Sequence, residues 1–431
     1  MALEVGVILL VTSFLLIFLG VPISISIAAS SIITMLVIFP FEVTIFTAAQ
    51  KMVTGLDIFS LLAIPFFVLS GIIMNSGGIA LRLINFAKLL SGRLPGSLAH
   101  TNIFGNMLFG AISGSSTASA AAIGRVMTPL QEKEGYNRAY SAAVNIASSG
   151  TGMIIPPSSL MIIYSLVSGG TSIAALFMAG YIPGILWGLS LILVAYFIAK
   201  KNNYPIASKV KFSEKFKVFL DAIPSLLLVI IVLGGITAGV FTATEGAAIA
   251  VAYAWFLSVC YKNFQIKQLP KMLIETVEIT AVIMLMIGTS AVLSIVLTFA
   301  GIPSAITDGI LQITDNPILV LLIINLILII VGTGIDVTPA ILIFTPILLP
   351  VVENIGMDPV HFGIVMVFNL CIGSITPPVG SPLFVGCKVA KVEIEEVIKP
   401  LMPFYASIFI ILLLVTYFPQ ISLFLPRFFN L

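Results

Sequence analysis

Four stretches of this 431-residue chain set Gly, Ser and Thr inside otherwise apolar runs: 110–119, 148–159, 332–339 and 373–382. Residues of these types supply no strong acid, base or nucleophile. What they can do is coordinate, offering hydroxyls and bared carbonyls to a cation and backbone N–H groups to an anion. Two of the stretches carry Pro-Pro, at Pro156-Pro157 and Pro377-Pro378. Proline has no N–H, so a helix entering either pair must break there and leave carbonyls without donors. By analogy with other hard cations, sodium takes about six oxygens, and Ser or Thr hydroxyls complete a shell that such carbonyls begin. A lone Gly-x-x-Ser in a membrane more often marks helix packing. Four clusters in related positions point instead to a site.

The elements that must hold these clusters follow from composition. Apolar residues make up 59% of the chain and charged ones 9%, where a soluble domain carries about a quarter charged. Twenty Lys and Arg against 18 Asp and Glu leave a net charge of +2, too balanced to imply a nucleic-acid partner. The chain reads as an all-α polytopic membrane protein. Apolar segments lie near 5–19, 22–39, 58–74, 98–124, 141–165, 173–199, 219–241, 243–261, 279–300, 317–349, 360–387 and 401–425. Gly20-Val21-Pro22 folds the first two into a tight pair, while 42–57 and 79–93 are amphipathic and suited to an interface. No basic stretch precedes the first run, which suggests a retained span. Cys260, Cys371 and Cys387 sit at no metal spacing and read as small apolar fillers.

Within 317–349, about 14 apolar residues precede the polar tip and about 11 follow it, against the roughly 20 that a span needs. This spacing predicts two half-helices of a re-entrant hairpin, and 98–129 reads the same way. Segments 141–165 and 360–387 read as broken helices. At membrane depth, broken backbone is tolerated only where protein or a cavity surrounds it.

These parts recur. A shift of 221 residues places Pro129 on Pro350, Gly135 on Gly356, Gly152 on Gly373 and Pro156-Pro157 on Pro377-Pro378. With small gaps, Val68-Leu69-Ser70 meets Val292-Leu293-Ser294 and Pro183 meets Pro403. The duplication divides the chain into N-terminal scaffold helices (1–57), a first repeat (58–199), connecting scaffold helices (200–278) and a second repeat (279–425). If the hairpins do not cross, an odd number of crossings separates them and the repeats are inverted. Placing the basic loop 200–217 in the cytoplasm gathers 18 of the 20 Lys and Arg into inside loops, leaving Lys51 and Arg427. On the other side, loops 301–317 and 351–359 hold Asp308, Asp315, Glu353 and Asp358 and no base. This separation puts both termini outside.

Inverted repeats with broken helices describe secondary transporters, here with two pseudo-symmetric cation sites flanking one substrate. Asp336 is the acid placed best within the membrane. It belongs either to a site or to the N-cap of the helix that follows. Glu245, in Thr242-Ala-Thr-Glu245, matches a capping box. Glu275 and Glu278 are expected in solvent near the cytoplasmic face, and His100 and His361 at an interface. No Lys or Arg is placed firmly in the middle of a span, so an anion would rely on N–H dipoles, hydroxyls and co-bound cations, although Arg125 could snorkel inward. The chain has no Gly-x-x-x-x-Gly-Lys-Ser/Thr motor motif and no hydrolase pattern such as His-Glu-x-x-His, so no enzyme is expected. A channel is not excluded by motif, but hairpins from opposite faces suit alternating access better than a ring-symmetric filter.

Six strings then carry a likeness. They are Ile64-Pro-Phe-Phe-Val-Leu-Ser-Gly71, Gly110-Ala-Ile-Ser-Gly-Ser-Ser116, Thr244-Glu-Gly-Ala-Ala248, Asp336-Val-Thr-Pro-Ala340, His361-Phe-Gly-Ile-Val-Met-Val-Phe-Asn369 and Thr376-Pro-Pro-Val-Gly380. Together they resemble the large membrane (M) subunit of TRAP transporters, over essentially the whole chain. The resemblance implies an inverted-repeat, elevator-type fold of the ion-transporter superfamily in a bacterial inner membrane. In such a fold two re-entrant hairpins and two broken helices slide against a scaffold. It implies Na⁺ as the co-transported ion, no organic cofactor, a separate small four-helix (Q) subunit and a periplasmic binding protein (P). The implied substrate is an organic acid anion: a C4-dicarboxylate, a sialic acid or a related sugar or keto acid. One Na⁺ site carries over to Ser113, Ser115, Gly152, Ile155 and Pro157, with the choice of serine open. The mirror site carries over to Gly332, Thr333, Gly334, Gly373 and Thr376. Substrate contacts are expected at Ser116, Ser158, Ser374 and Asp336. The alternative is a stand-alone carboxylate symporter of the same superfamily, working without partners.

Overall fold

Glycine and proline decide where the helices of the computed structural model begin and end. It describes residues 2–206, 212–262, 266–378 and 380–431. Helices α1 (Ala2–Phe18) and α2 (Ile23–Ile38) turn at Gly20, whose φ of +82° is open mainly to glycine. After Pro40 comes α3 (Phe41–Leu56), the amphipathic stretch expected at 42–57. Then follow α4 (Ala63–Ser76), α5 (Ile79–Ser91), α6 (Ser97–Ser113) and α7 (Ser116–Lys133). The first broken helix is α8 (Arg138–Ser149), the single turn α9 (Thr151–Ile154) and α10 (Ser159–Val167), and it leads into α11 (Ile173–Lys201). Helices α12 (Phe212–Thr237) and α13 (Ala243–Cys260) connect the halves. The second half contains α14 (Leu269–Phe299), α15 (Ile302–Ile313), α16 (Pro317–Gly334) and α17 (Val337–Asn354). It continues with α18 (Pro359–Ser374), α19 (Ser381–Ala390) and α20 (Ile394–Tyr417), and α21 (Gln420–Phe428) closes the chain.

Among the described residues, eight helices are long and apolar enough to cross a membrane. There are nine when the bent pair Arg138–Ile154 and Ser159–Val167 is taken as one span. Large apolar side chains such as Phe18, Phe197, Ile230 and Leu326 are exposed, as lipid contact requires of a multi-pass membrane protein. Residues 207–211 and 263–265 of two basic loops, Lys209 and Lys211 among them, lie outside the described residues. So does Val379 beside the second break.

One expectation is corrected. The arms of the second hairpin are not half-length: α16 and α17 have 18 residues each, about 27 Å, and both pass for spans on length and apolarity. The apolar count stopped short because Gly332, Thr333 and Gly334 stay helical at the end of α16, and α17 continues to Asn354. Shortness therefore does not distinguish these arms from full spans. Near the tip, Gly332 packs on Gly373 of α18.

The two halves interlock. The half-helix after each break packs on the second arm of the other half's hairpin: α10 on α17, and α19 on α7. In the same way α8 packs on α20, and α18 on α11. Trp187 of α11 sits fully buried at the junction. Its indole N–H donates to Ala147 O at 3.0 Å, and its ring lies 4.7 Å from that of Phe368. The capping box at the start of α13 is formed. Thr242 Oγ1 accepts from Glu245 N at 3.3 Å, and Glu245 Oε2 accepts from Thr242 N at 2.8 Å. Thr242→Ala should lower stability by about 1 kcal/mol, read as a lower Tm in detergent.

Candidate ion and substrate site

At the first tip, only Gly114 and Ser115 separate α6 from α7, and Gly114 takes φ +61°. Ser115 is the N-cap of α7; its hydroxyl accepts from Ala118 N at 3.3 Å. Ser113 Oγ donates to Ser115 O at 3.4 Å. Facing this tip, the helix bends by 48° between Ile154 and Ser159. Because Pro156 and Pro157 lack N–H groups, Gly152 O and Met153 O lose their helical donors. Ser158 Oγ takes up Met153 O at 2.6 Å, which leaves Gly152 O to another partner. Tip and break touch through glycine. A Cβ built on Gly152 would lie 2.4 Å from Gly110 Cα, and one on Gly114 would lie 3.5 Å from Pro157 O. The fold thus brings Ser113 and Ser115 to the break that holds Gly152, Ile155 and Pro157. Hydroxyls and carbonyls are the donor set a hard monovalent cation prefers.

The second half repeats this with differences. A Cβ on Gly373 would lie 2.4 Å from Gly332 Cα, so tip and break again meet glycine to glycine. Here Thr376 N returns to Gly373 O at 2.9 Å, and the Tyr405 phenol donates to Ile375 O. The hydroxyls of Thr333 and Thr376 donate to Ile330 O and Ile372 O at 2.8 and 2.7 Å, and their lone pairs stay available. Gly334 faces open space at the tip. More carbonyls are already spoken for at this break than at the first.

Between the tips lies a cavity of about 590 Å³. Its wall includes residues 113–118, 159–160 and 336–338, which contain the first turns of α7, α10 and α17; α4 and α14 close the other side. Three helix N-termini therefore converge on one space, each with unpaired N–H groups and partial positive charge. Ser116 and Asp336 line it. Ser158 stops one residue short, buried with its hydroxyl on Met153 O. Ser374 turns away and donates to Cys371 O at 2.8 Å, so it does not reach the cavity. Asp336 occupies the N-cap position of α17 without making a side-chain cap hydrogen bond. Asp336→Asn should leave the Tm unchanged and cut uptake several-fold; a lower Tm with normal uptake would return Asp336 to a capping role.

Glu275 and Glu278 are exposed, as expected, and from α14 they also line the cavity wall. Helix α14 begins ten residues earlier than its apolar run, at Leu269. Both histidines are buried within the protein. His361 places Nδ1 2.6 Å from Ser422 Oγ and Nε2 3.2 Å from Thr416 O, under α20 and α21. His100, equally buried, places Nε2 3.0 Å from Pro95 O.

This arrangement can be set beside known proteins. The family model of the tripartite ATP-independent periplasmic transporter, DctM component, matches residues 10–421. The chain belongs to the DctM family. Protein YgiK of Salmonella typhimurium LT2 is 52% identical to it over 424 residues, 98% of each chain. The sialic acid TRAP transporter large permease protein SiaM of Vibrio cholerae is 42% identical over 383 residues, 89% of this chain and 90% of its own. Among solved structures, the YdaH transporter of Alcanivorax borkumensis matches with a TM-score of 0.61, covering 87% of each chain at 11% identity. That likeness is one of fold.

One feature of this DctM-family chain escaped sequence reasoning: a set of fully buried amides behind the first tip, Asn102 and Asn106 on α6 and Asn145 on α8. The signal was present as two asparagines four residues apart within an apolar run. Only the meeting of α6 with α8 makes them one cluster.

Proposed function

We propose that this DctM-family chain is the large permease subunit of a TRAP importer that couples Na⁺ entry to uptake of an organic acid anion. The convergence of three helix N-termini on one cavity carries the reading. Each N-terminus contributes up to about 2 kcal/mol toward an anion when partly buried, more than the ~0–1 kcal/mol of an exposed lysine pair. A carboxylate therefore needs no Lys or Arg here. The cavity wall nevertheless carries Glu275, Glu278 and Asp336, so a bound cation would offset repulsion that the helix ends alone leave. Na⁺ at the first tip, on Ser113, Ser115, Gly152, Ile155 and Pro157, supplies that charge. A second Na⁺ at Gly332, Thr333, Gly334, Gly373 and Thr376 mirrors it.

The interlocked halves α6–α11 and α16–α20 would move as the carrier body of an elevator, against α1–α4 and α12–α14. Basic loops set the termini on the periplasmic side of an inner membrane. The relative SiaM transports sialic acid by name, which supports a sialic acid, a C4-dicarboxylate or a related sugar or keto acid as solute. A small four-helix subunit and a periplasmic binding protein complete the system. Uptake by proteoliposomes holding both membrane subunits is the test. The reading requires that uptake need an inward sodium gradient and the solute-loaded binding protein. Uptake by the large chain alone would favour a stand-alone symporter, and uptake unaffected by sodium would refute the coupling.

A further inference from the structure

The seam where α6, α7 and α8 meet holds polar side chains that neither cation site uses. On α6, Asn102, Asn106 and Gly110 recur every four residues; on α8, Ser141, Asn145 and Ser148 keep a similar step that Gly152 of α9 continues. Both columns run from the helix ends near Arg138 to the Gly110–Gly152 contact at the first break. Asn106 Nδ2 lies 2.7 Å from Ser148 Oγ, 2.9 Å from Asn102 Oδ1, 3.1 Å from Asn145 Oδ1 and 3.3 Å from Asn145 O. An amide nitrogen has two hydrogens, so four oxygens crowd a group that can serve two. Ser119 Oγ donates to Asn106 Oδ1 at 2.7 Å and lies 3.6 Å from a Cβ built on Gly110, which joins this cluster to the break. At the other end, Asn102 Nδ2, Gln131 Oε1, Ser141 Oγ and Tyr140 OH are buried with no partner.

Ordinary interhelical hydrogen bonding would account for a paired set. It does not account for surplus oxygens beside bare donors and acceptors, which are costly to bury unpaired. Water answers both kinds of group, and surplus oxygens favour a cation passing with it. We propose that the α6–α7–α8 seam is a hydrated file through which the monovalent cation of the first tip exchanges with the compartment on the Arg138 side. This rests on the reading of the first tip as a cation site.

Serine-to-cysteine substitutions, nearly isosteric, test it in the full chain with exposed Cys260 replaced by serine; Cys371 and Cys387 are buried. Ser141→Cys and Ser148→Cys should react with the cationic reagent methanethiosulfonate ethylammonium about tenfold faster than Ser30→Cys, equally buried in α2. Saturating NaCl in place of choline chloride should slow the reaction at Ser148→Cys about threefold or more. Reaction at residues 141 and 148 no faster than at residue 30, with Arg138→Cys reactive as a control, would show a dry seam and overturn the proposal. Fast reaction without sodium protection, in vesicles whose uptake is sodium-driven, would overturn the cation's use of the file. Sodium-independent uptake by the unsubstituted chain would instead sink the functional reading, while labelling along the seam would still decide whether the file is hydrated.

Discussion

Gly152→Leu abolishes sodium-driven uptake if the first tip and break form a cation site. The built Cβ lies 2.4 Å from Gly110 Cα, a backbone atom that no rotamer change can move. The hairpin must back away from the break, at an overpacking cost of about 1–3 kcal/mol before the rest of the leucine is placed. Coordination is less forgiving than packing, because hard-cation bonds of about 2.3–2.6 Å do not stretch by an ångström. Uptake should therefore vanish even where enough folded protein survives to reconstitute. Gly309→Ala is the matched control: nothing lies within 4 Å of its added Cβ, and its uptake should equal that of the parent chain. Uptake by Gly152→Leu with the parent's sodium dependence would remove Gly152 from the site.

The double substitution Pro156→Ala with Pro157→Ala tests the carbonyls rather than the packing. Two N–H groups return four residues after Gly152 O and Met153 O, where a continuous helix would use them. A carbonyl engaged in a helical hydrogen bond is a weaker cation ligand, so half-saturation by sodium should rise about tenfold, equivalent to ~1.4 kcal/mol. The mirror change, Pro377→Ala with Pro378→Ala, should shift it less. At that break Gly373 O already accepts from Thr376 N, and Ile375 O from Tyr405. Sodium titration of uptake reads both. Equal shifts would contradict the inequality of the two breaks.

Much of this architecture was legible because covalent constraints announce themselves. Pro156-Pro157 and Pro377-Pro378 forbid a continuous helix wherever they fall, and Gly152 and Gly373 recur at the same offset. The glycine pairs 110 with 152 and 332 with 373 then touch in three dimensions. What stayed hidden depends on neighbours. The polar end of α16 stays helical where Gly332 meets Gly373 and Leu370 of α18, and α17 runs on to Asn354, so an apolar count undershot both arms. Glu275 and Glu278 keep the exposure expected of them, but α14 begins at Leu269, ahead of its apolar stretch, and sets them on the cavity wall. Ser374 failed to reach the cavity through helix phase alone, since its hydroxyl turns back to Cys371 O. His361 gave no sign that Ser422 and Thr416, more than 50 residues away in sequence, would satisfy both ring nitrogens.

The crossed seating of α10 on α17 and α19 on α7 bears on stoichiometry. Neither tip has a private foundation: each rests on a rod that the opposite break supplies. If both tips hold cations as proposed, a force that settles one tip is passed to the other, so filling one ion position should ready its twin, and partial loading should be rare. Slippage, in which solute crosses with too few ions or ions leak without solute, is then opposed by the frame itself rather than by a separate latch.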